Sequence, residues 1–298
     1  MIIVDDLFPT FIKSQDFYEL AEHGFTFKGR ENNFVNNPDN YLVSWGENVP
    51  KIRHSVMETG FFKDALHLDA IGLYERASFN YPCAKQIISD YSAPKSWKQL
   101  NLAPKFSQPS SAQSWDGVVI ICQLSTHRSV WRAGSSGDYH RFLEEACKYY
   151  GKKAFLKKHP VTLGNKNEQA FLEELTLKYD CEIGHVGSSV IEKAESVIVY
   201  NSTYVIDALL MGRHVYQYAP GYFWQSGVVQ YTNKKFSGRE EKIDSSYVDK
   251  FLDFMVWKYC FHNKTPITDL AEIIKSFERG EEFFPMPESL SYGSSITT

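Results

Sequence analysis

The feature that most constrains the fold is a regular alternation of apolar, strand-length runs and amphipathic helical segments in the second half of the chain. It begins at residues 117–124 (GVVIICQL), an uninterrupted apolar run of the length of one buried strand. The predicted segments that follow are helix 138–151, strand 153–158, helix 168–179, strand 181–186, helix 190–195, strand 196–201, helix 203–212 and strand 214–218. Strands that are apolar on both faces and alternate with helices form parallel sheets covered by helices on both sides. This half is therefore predicted to be a Rossmann-type domain.

The rest of the chain is less regular. Its predicted elements are strands 40–46 and 51–58, helix 82–91, and helical segments 246–261 and 266–280. Residues 92–117 are rich in Pro, Ser, Gln and Lys, which indicates a linker between domains. The predicted units are thus a domain at 1–110, a domain at 111–240, and C-terminal helices at 241–298 that pack back across both.

Composition excludes several classes of protein. A formal net charge of −4 and a pI near 6.2 give no overall attraction to nucleic acid or anionic membranes, although a local basic cleft remains open. The sequence shows neither a basic, apolar leader nor a long uncharged apolar run, so we expect a cytoplasmic protein without a transmembrane segment. The 5 cysteines are scattered and form no CxxC pair, so we expect neither disulfides nor a metal site.

Polar residues follow three of the predicted parallel strands. In such sheets ligands bind at the carboxyl ends of the strands, where helix N-termini present free N–H groups. The strand-end residues are Gln123, His127 and Arg128 after the first strand, Lys157, Lys158 and His159 after the second, and Asn201, Ser202 and Thr203 after the fourth. All three groups suit an anion such as phosphate. The last group also suits a simple helix cap, and His159 also suits a structural histidine fixed by Pro160.

These segments resemble, in the same order, the motifs of a known family, the capsule-polysaccharide synthesis glycosyltransferases of the retaining β-Kdo transferase type. The similar stretches are METGFFKDALHLDAIGLYERASFNYP (57–82), VIICQLSTHRSV, FLKKHP, VYNSTYVIDALLMGRHV and APGYFWQSGVVQ (219–230). The resemblance spans about residues 45–230 and rests on short motifs. It implies a GT-B fold, in which two Rossmann-like domains enclose a cleft and the C-terminal domain holds most of a nucleotide-sugar donor, leaving the N-terminal domain on the acceptor side.

The resemblance also implies roles for individual residues. His159 and Ser202–Thr203 match the family positions that bind the donor phosphate, and Lys157 or Lys158 would add positive charge. Glu58 matches the motif glutamate, which is expected at the reacting sugar. A carboxylate there can stabilise a cationic anomeric carbon, act as a base or attack it, and Asp69 is a second candidate.

The chain departs from the family at two places. Thr59 replaces an aspartate of the family motif, and His127 lies in the segment where the family has the aspartate proposed to be its nucleophile. A histidine cannot simply replace that carboxylate, so we take His127 as a third catalytic candidate but not as the equivalent of the family's nucleophile. Arg128 and Arg132 are alternatives for neutralising a donor diphosphate. The glycine-rich stretch after Arg132 is predicted to be a turn in which Asp138 caps the next helix.

Three functions follow from these expectations. The first is a glycosyltransferase that transfers a sugar, with retention, from a CMP- or UDP-linked donor to a bacterial surface saccharide, without a cofactor. The second is a phage-type enzyme, acting in the host cytoplasm, that adds a sugar from a UDP-sugar to a hydroxymethylated base in DNA. Such an enzyme needs a basic face, for which residues 28–30, 93–105 and 233–239 are candidates. The third is a sugar-nucleotide or glycan-binding protein without activity. The sequence leaves the oligomeric state open.

Overall fold

The computed structural model describes residues 1–5, 18–28, 39–46, 53–100, 102, 105, 114–236, 243–262 and 265–280. Within them the strands are β1 (Ile2–Asp5), β2 (Phe25–Lys28), β3 (Tyr41–Trp45), β4 (His54–Thr59), β5 (Ala65–Asp69), β6 (Val118–Ile121), β7 (Ala154–Lys157), β8 (Glu182–Gly184), β9 (Ser196–Val199), β10 (His214–Gln217), β11 (Gln230–Tyr231) and β12 (Cys260–His262).

The α-helices of the same residues are α1 (Pro82–Asp90), α2 (Arg128–Ala133), α3 (Ser136–Tyr150), α4 (Lys166–Tyr179), α5 (Val205–Leu210), α6 (Ser245–Phe254) and α7 (Ile267–Glu278). Short 3-10 segments lie at Glu19–His23, Tyr74–Arg76, Ser78–Asn80, Trp97–Gln99, Gly151–Lys153, Pro160–Gly164 and Ser188–Ile191. A π-helical turn, Met255–Tyr259, follows α6 directly.

The second half of the chain forms the predicted parallel sheet. The order of its strands is β11-β10-β9-β6-β7-β8, and every neighbouring pair is parallel. The four residues of β6 are all buried, as are those of β7 and β9, because helices cover both faces. The prediction of a parallel α/β unit from the apolar runs is confirmed. The predicted helix at 190–195 is instead a 3-10 segment at Ser188–Ile191.

The first half forms a second sheet, which is mixed. Its order is β12-β5-β4-β3-β1-β2, with β1 to β4 in parallel pairs and with β5 antiparallel to both β4 and β12. The Rossmann-like prediction therefore fits β1–β4 and is wrong for the edge, where the short connection after Thr59 turns the chain straight back. A connection this short permits only antiparallel pairing.

The C-terminal part contributes to this N-terminal sheet. Residues 246–261 were predicted to be one helix, but α6 ends at Phe254 and Cys260–His262 pairs with β5. The π-helical turn Met255–Tyr259 continues the helical run, so the prediction is wrong only from Cys260, where the open edge of β5 supplies backbone partners. The buried Leu270 and Ile274 of α7 pack in the same core as Val4 and Val43.

One hydrophobic cluster contains buried residues of both halves. It joins Val56 and Phe79 from the first half to Val119, Val197 and Phe223 from the second. The first part of the predicted linker also packs on the C-terminal region, since the backbone N–H of Trp97 donates to the carboxylate of Asp253 at 2.5 Å. The proposed domain boundaries remain a prediction.

His67 in β5 is a buried histidine in an aromatic stack. Its ring lies 4.9 Å from that of Phe61 and 5.3 Å from that of Tyr259, and neither of its nitrogens has a hydrogen-bond partner among the described residues. Burial, assisted by the charge of Lys105, lowers the pKa of His67 from 6.5 to about 3, against a weak opposing effect of the nearby Thr59 backbone. The folded protein therefore resists protonation of this ring.

A pH-dependent stability follows from this histidine. The pKa of His67 is lower in the folded than in the unfolded state. Its contribution to the stability of the fold is therefore complete above pH 6.5 and is lost as the pH falls toward 3. We expect His67→Phe to remove this loss, so that the stability of the variant relative to the wild type rises by about 1.4 kcal/mol per pH unit between about pH 6 and 4. Urea unfolding at several pH values measures this difference. Parallel pH profiles of the two proteins would contradict it.

Candidate active site

A cavity of about 550 Å³ is lined by residues that follow strands of both sheets. Glu58 and Thr59 come from the end of β4 in the N-terminal sheet. Of the residues predicted from the sequence, the cavity wall contains Glu58, Gln123, His127, Lys157, Lys158, His159, Asn201, Ser202 and Thr203. Asp69 and Arg128 are not among the lining residues.

The topology of the C-terminal sheet explains why the strand-end clusters meet. Strand β6 lies between β7 and β9, and Ile121 pairs with both Lys157 and Val199, so the three strands end at one level. From β6 the chain runs to β7 and β8 on one side and then crosses to β9 on the other. This reversal leaves a crevice at the carboxyl ends, which is where open α/β sheets bind ligands.

The side chains of Gln123 and Asn201 hold the crevice together. The Gln123 amide donates to Asn201 at 3.1 Å and to the Ser129 hydroxyl at 3.2 Å, and its oxygen accepts from the Asn201 backbone at 3.3 Å. The Asn201 amide donates to the carbonyls of Ser129 and Pro220 at 2.7 and 3.2 Å. Both amides are thus fully used within the protein. They position the strand ends, and neither N–H₂ group is available to a ligand.

The segment after β9 presents backbone N–H groups to the cavity. The hydroxyl of Ser202 accepts from the Tyr204 backbone at 3.2 Å, which makes Ser202 the residue that caps this turn, and α5 begins only at Val205. Within the described part of the chain, the N–H groups of Ser202 and Thr203 make no hydrogen bond. Ser202 and Thr203 line the crevice, so their two unbonded N–H groups are candidate donors to a ligand there.

His127 and His159 have the same geometry at neighbouring strand ends. The Nδ1 of His127 accepts from the backbone of Ser129 at 3.4 Å, and that of His159 accepts from the backbone of Val161 at 3.2 Å. A neutral ring that accepts at Nδ1 carries its proton on Nε2. Burial is the main cause that lowers the pKa of both rings; neighbouring positive groups add to it at His159, and Glu58 opposes it at His127. Both histidines are therefore neutral Nε2–H donors at pH 7.

Lysines give this crevice a positive charge. Lys157 is 6% exposed, its ammonium group lies 5.0 Å from the centre of the Tyr204 ring, and burial lowers its pKa. It forms no ion pair with a described residue. Lys105 donates to the carbonyl of Gly60 at 2.6 Å, and burial also lowers its pKa, against the charge of Glu58. The described lining residues include three lysines and three histidines against one carboxylate.

That carboxylate belongs to Glu58. One of its oxygens accepts from the backbone and the hydroxyl of Thr59, at 2.8 and 3.1 Å. Burial and then the charge of Glu58 raise the pKa of Tyr74, and the same charge opposes the lowering that burial causes at His127. All three side chains line the cavity. A fixed carboxylate in this cavity can stabilise positive charge that develops on a bound substrate.

Asp69 has a structural role, which corrects its selection as a catalytic candidate. It is 1% exposed and accepts from the backbones of Ile71, Gly72 and Ser78 at 2.8–3.0 Å. The hydroxyls of Ser78 and Tyr259 donate to it at 2.8 and 2.5 Å. Burial raises its pKa, and these donors oppose the rise. Its carboxylate organises the loop after β5 and does not reach the cavity.

Three residues that follow β6 in the chain do not lie as the sequence predicted. Arg128 does not line the cavity, although its charge opposes the rise in the pKa of Tyr74. Arg132 forms a two-pronged ion pair with Glu75, so its guanidinium is not directed at a diphosphate. Asp138 is the third residue of α3, and Ser135 is the cap, in a capping box that both residues complete.

Among the residues of the cavity wall that were not predicted as site residues are Tyr74, Lys105, His185 and Tyr222. His185 follows β8 directly, so the strand-end rule that selected His159 would also have found it. Lys105 lies in the predicted linker, and the tyrosines lie in loops without a periodic pattern. No spacing in the sequence indicates that those three meet.

The described residues contain neither a candidate metal site nor a helix that could span a membrane. No cluster of three or more His, Cys, Asp or Glu side chains there has a geometry that would hold a metal ion. No helix of the described chain has the length and apolar character to cross a membrane.

The two sheets, with a crevice at the carboxyl ends of their strands, form a fold that is also found in solved structures. Two solved structures from Thermosulfurimonas dismutans are similar to it. The KpsC beta Kdo 2,7 transferase is 15% identical, with a TM-score of 0.59 and with 91% of this chain and 99% of that chain covered. The KpsC beta Kdo 2,4 transferase is 12% identical, with a TM-score of 0.57 and coverages of 91% and 97%. The resemblance to Kdo transferases is thus confirmed for the fold.

Comparisons of sequence alone give no such link. No protein-family model matches the chain, and no curated protein does. The similarity to the two transferases is therefore carried by the arrangement of strands and helices.

Proposed function

We propose that this chain is a two-domain, GT-B glycosyltransferase that binds a CMP- or UDP-linked sugar in the crevice and transfers the sugar to a hydroxyl group of a saccharide. The fold of the KpsC transferases supports transfer of a sugar. The nucleotide-sugar donor, the cleft between domains and the acceptor are inferences from the crevice itself.

The observation that carries the proposal is the buried ammonium group of Lys157. A buried charge without a partner costs free energy, and an anionic ligand would offset that cost. The Nε2–H groups of His127 and His159 and the backbone N–H groups of Ser202 and Thr203 line the same crevice. Hydrogen-bond donors of these five residues in the wall of one cavity suit the oxygens of a phosphate.

The chemistry of transfer matches this distribution of charge. As the bond between sugar and phosphate breaks, negative charge grows on the phosphate and positive charge on the anomeric carbon. Donors that are already in place stabilise the negative charge on the phosphate, and the carboxylate of Glu58 stabilises the positive charge on the anomeric carbon. In this proposal His127, which lines the same cavity as Glu58 and His159, donates its Nε2–H to the departing phosphate oxygen. Transfer with retention is part of the proposal and rests on the resemblance to the retaining family.

The first test is the thermal stability of the purified protein with CMP, UDP, GDP and their sugars. A ligand at 100 times its dissociation constant adds about 2.7 kcal/mol to the stability of the folded state. Stabilisation by CMP or UDP supports the proposal, and no stabilisation by any of them contradicts it. Product formation with oligosaccharides or with hydroxymethylated DNA then identifies the acceptor.

Replacement of His159 tests the phosphate contact. We expect His159→Ala and His159→Asn to weaken binding of CMP or UDP by about ten- to a hundredfold, because a hydrogen bond to a charged oxygen is lost. Asparagine can still accept from the Val161 backbone, so this variant separates the contact from the local cap. Isothermal titration calorimetry measures the affinity, with the exposed His262→Ala as the control. Unchanged affinity in both His159 variants would refute the contact.

A further inference from the structure

One end of the cavity, which we call the tyrosine end, is formed by Tyr74 and Tyr222 beside Glu58. Tyr222 is 3% exposed, and its hydroxyl has no hydrogen-bond partner among the described residues. The backbone N–H of Tyr74 slightly opposes the rise that burial causes in the pKa of Tyr222, but an N–H is itself a donor and offers the O–H no acceptor. A buried donor without an acceptor costs free energy unless a ligand satisfies it.

Tyr74 adds an independent sign of function. Its φ of 56° lies in the left-handed region, which an aromatic residue adopts only when the surrounding structure holds it there. Its ring lies 5.0 Å from that of Tyr222, and the guanidinium of Arg132 lies 5.6 Å from its centre. Strained residues of this kind concentrate at ligand sites.

Hydrogen bonds between the two halves of the chain fix the tyrosine end. The amide of Asn80 donates to the carbonyls of Tyr74 and Gly221 at 3.3 and 3.4 Å, and its oxygen accepts from the Gln225 backbone at 3.2 Å. The indole of Trp224 donates to the carbonyl of Glu75 at 3.3 Å, and Glu75 pairs with Arg132. Both tyrosines are therefore preorganised before any ligand arrives.

We propose that the tyrosine end holds the sugar ring of the donor, with the Tyr222 hydroxyl donating a hydrogen bond to an oxygen of that ring or of one of its hydroxyl groups. This inference rests on the proposed function, in which Lys157, His159 and the residues after β9 bind the phosphate and the attached sugar extends to Tyr222 in the wall of the same cavity. Tyr222 is then a specificity residue that favours sugars carrying an oxygen at this position. Tyr74 supplies the aromatic wall against which the ring packs.

The test is Tyr222→Phe, which removes the hydroxyl and keeps the ring. Binding is measured by calorimetry for UDP against UDP-glucose and UDP-N-acetylglucosamine, and for CMP against CMP-Kdo. We expect unchanged affinity for the free nucleotide and a loss of about ten- to a hundredfold for the sugar nucleotide that the wild type prefers. The melting temperature should stay the same or rise, because an unsatisfied buried donor is removed.

Tyr259→Phe is the matched control. Its hydroxyl is also buried but donates to Asp69 at 2.5 Å, so its removal should lower the melting temperature without a selective effect on the sugar nucleotide. If neither UDP nor CMP binds the wild type, the proposed function itself fails. If the nucleotides bind but Tyr222→Phe retains full affinity for the sugar nucleotide, or lowers the melting temperature as Tyr259→Phe does, only the role of Tyr222 is overturned.

Discussion

Replacing Glu58 by glutamine is expected to reduce sugar transfer by about 10²–10⁴-fold, the range found when a positioned acid or base is lost. Glutamine keeps the size of the side chain, and its oxygen can still accept from the backbone of Thr59. Only the negative charge beside the reacting sugar is removed, so affinity for the free nucleotide should not change. Product formation with the donor identified by thermal stability, together with calorimetry for the nucleotide, measures both quantities.

The exposed Glu182→Gln on β8 is the control for this experiment and should keep wild-type turnover. Full activity of Glu58→Gln would remove Glu58 from the mechanism. A protein that only binds sugar nucleotides would give a different pattern, with unaltered donor binding in both proteins and no product from either. The same two measurements thus separate an enzyme from a binding protein.

Loss of Asp69 should destabilise the fold, and we expect Asp69→Ala to lower the free energy of unfolding by about 3–5 kcal/mol. The alanine leaves five buried donors without an acceptor, three from the backbone and two from the hydroxyls of Ser78 and Tyr259. Asp69→Asn should lose nearly as much, because its N–H₂ group would face donors. Chemical unfolding followed by circular dichroism measures the change.

The exposed Asp116→Asn serves as the control for Asp69, since it removes a carboxylate at the protein surface. Its stability should remain within about 0.5 kcal/mol of the wild type. If Asp69→Asn is as stable as the wild type but inactive, the structural role of Asp69 is contradicted and a catalytic role is supported.

The strand ends were predictable because the apolar runs of the C-terminal sheet mark its strands and parallel strands end at one level. That argument placed Lys157 and His159 correctly in the cavity wall, and it would also have found His185. It also placed Gln123 and Asn201 in the cavity wall, but it could not show that their N–H₂ groups are already bonded within the protein. A sequence shows which side chains can donate, and only their neighbours decide whether a donor is already used.

The N-terminal sheet was harder to predict for a different reason. Its edge strand β12 comes from residues far along the chain, and the apolar run around Met255 shows no period that separates helix from strand. Asp69 was selected because it is a carboxylate within a motif. The five donors around it come from the loop after β5 and from Tyr259, a combination that no local pattern reveals.

The pairing of β12 with β5 also affects how the protein is made. Roughly 190 residues separate the end of β5 from the start of β12, so a ribosome adding about 5–20 residues per second takes about 10–40 s to supply the missing strand. During that interval β5 has an unpaired edge that can pair with another chain. Newly made chains are therefore most prone to aggregate, and most in need of chaperones, before residues 260–262 have been synthesised.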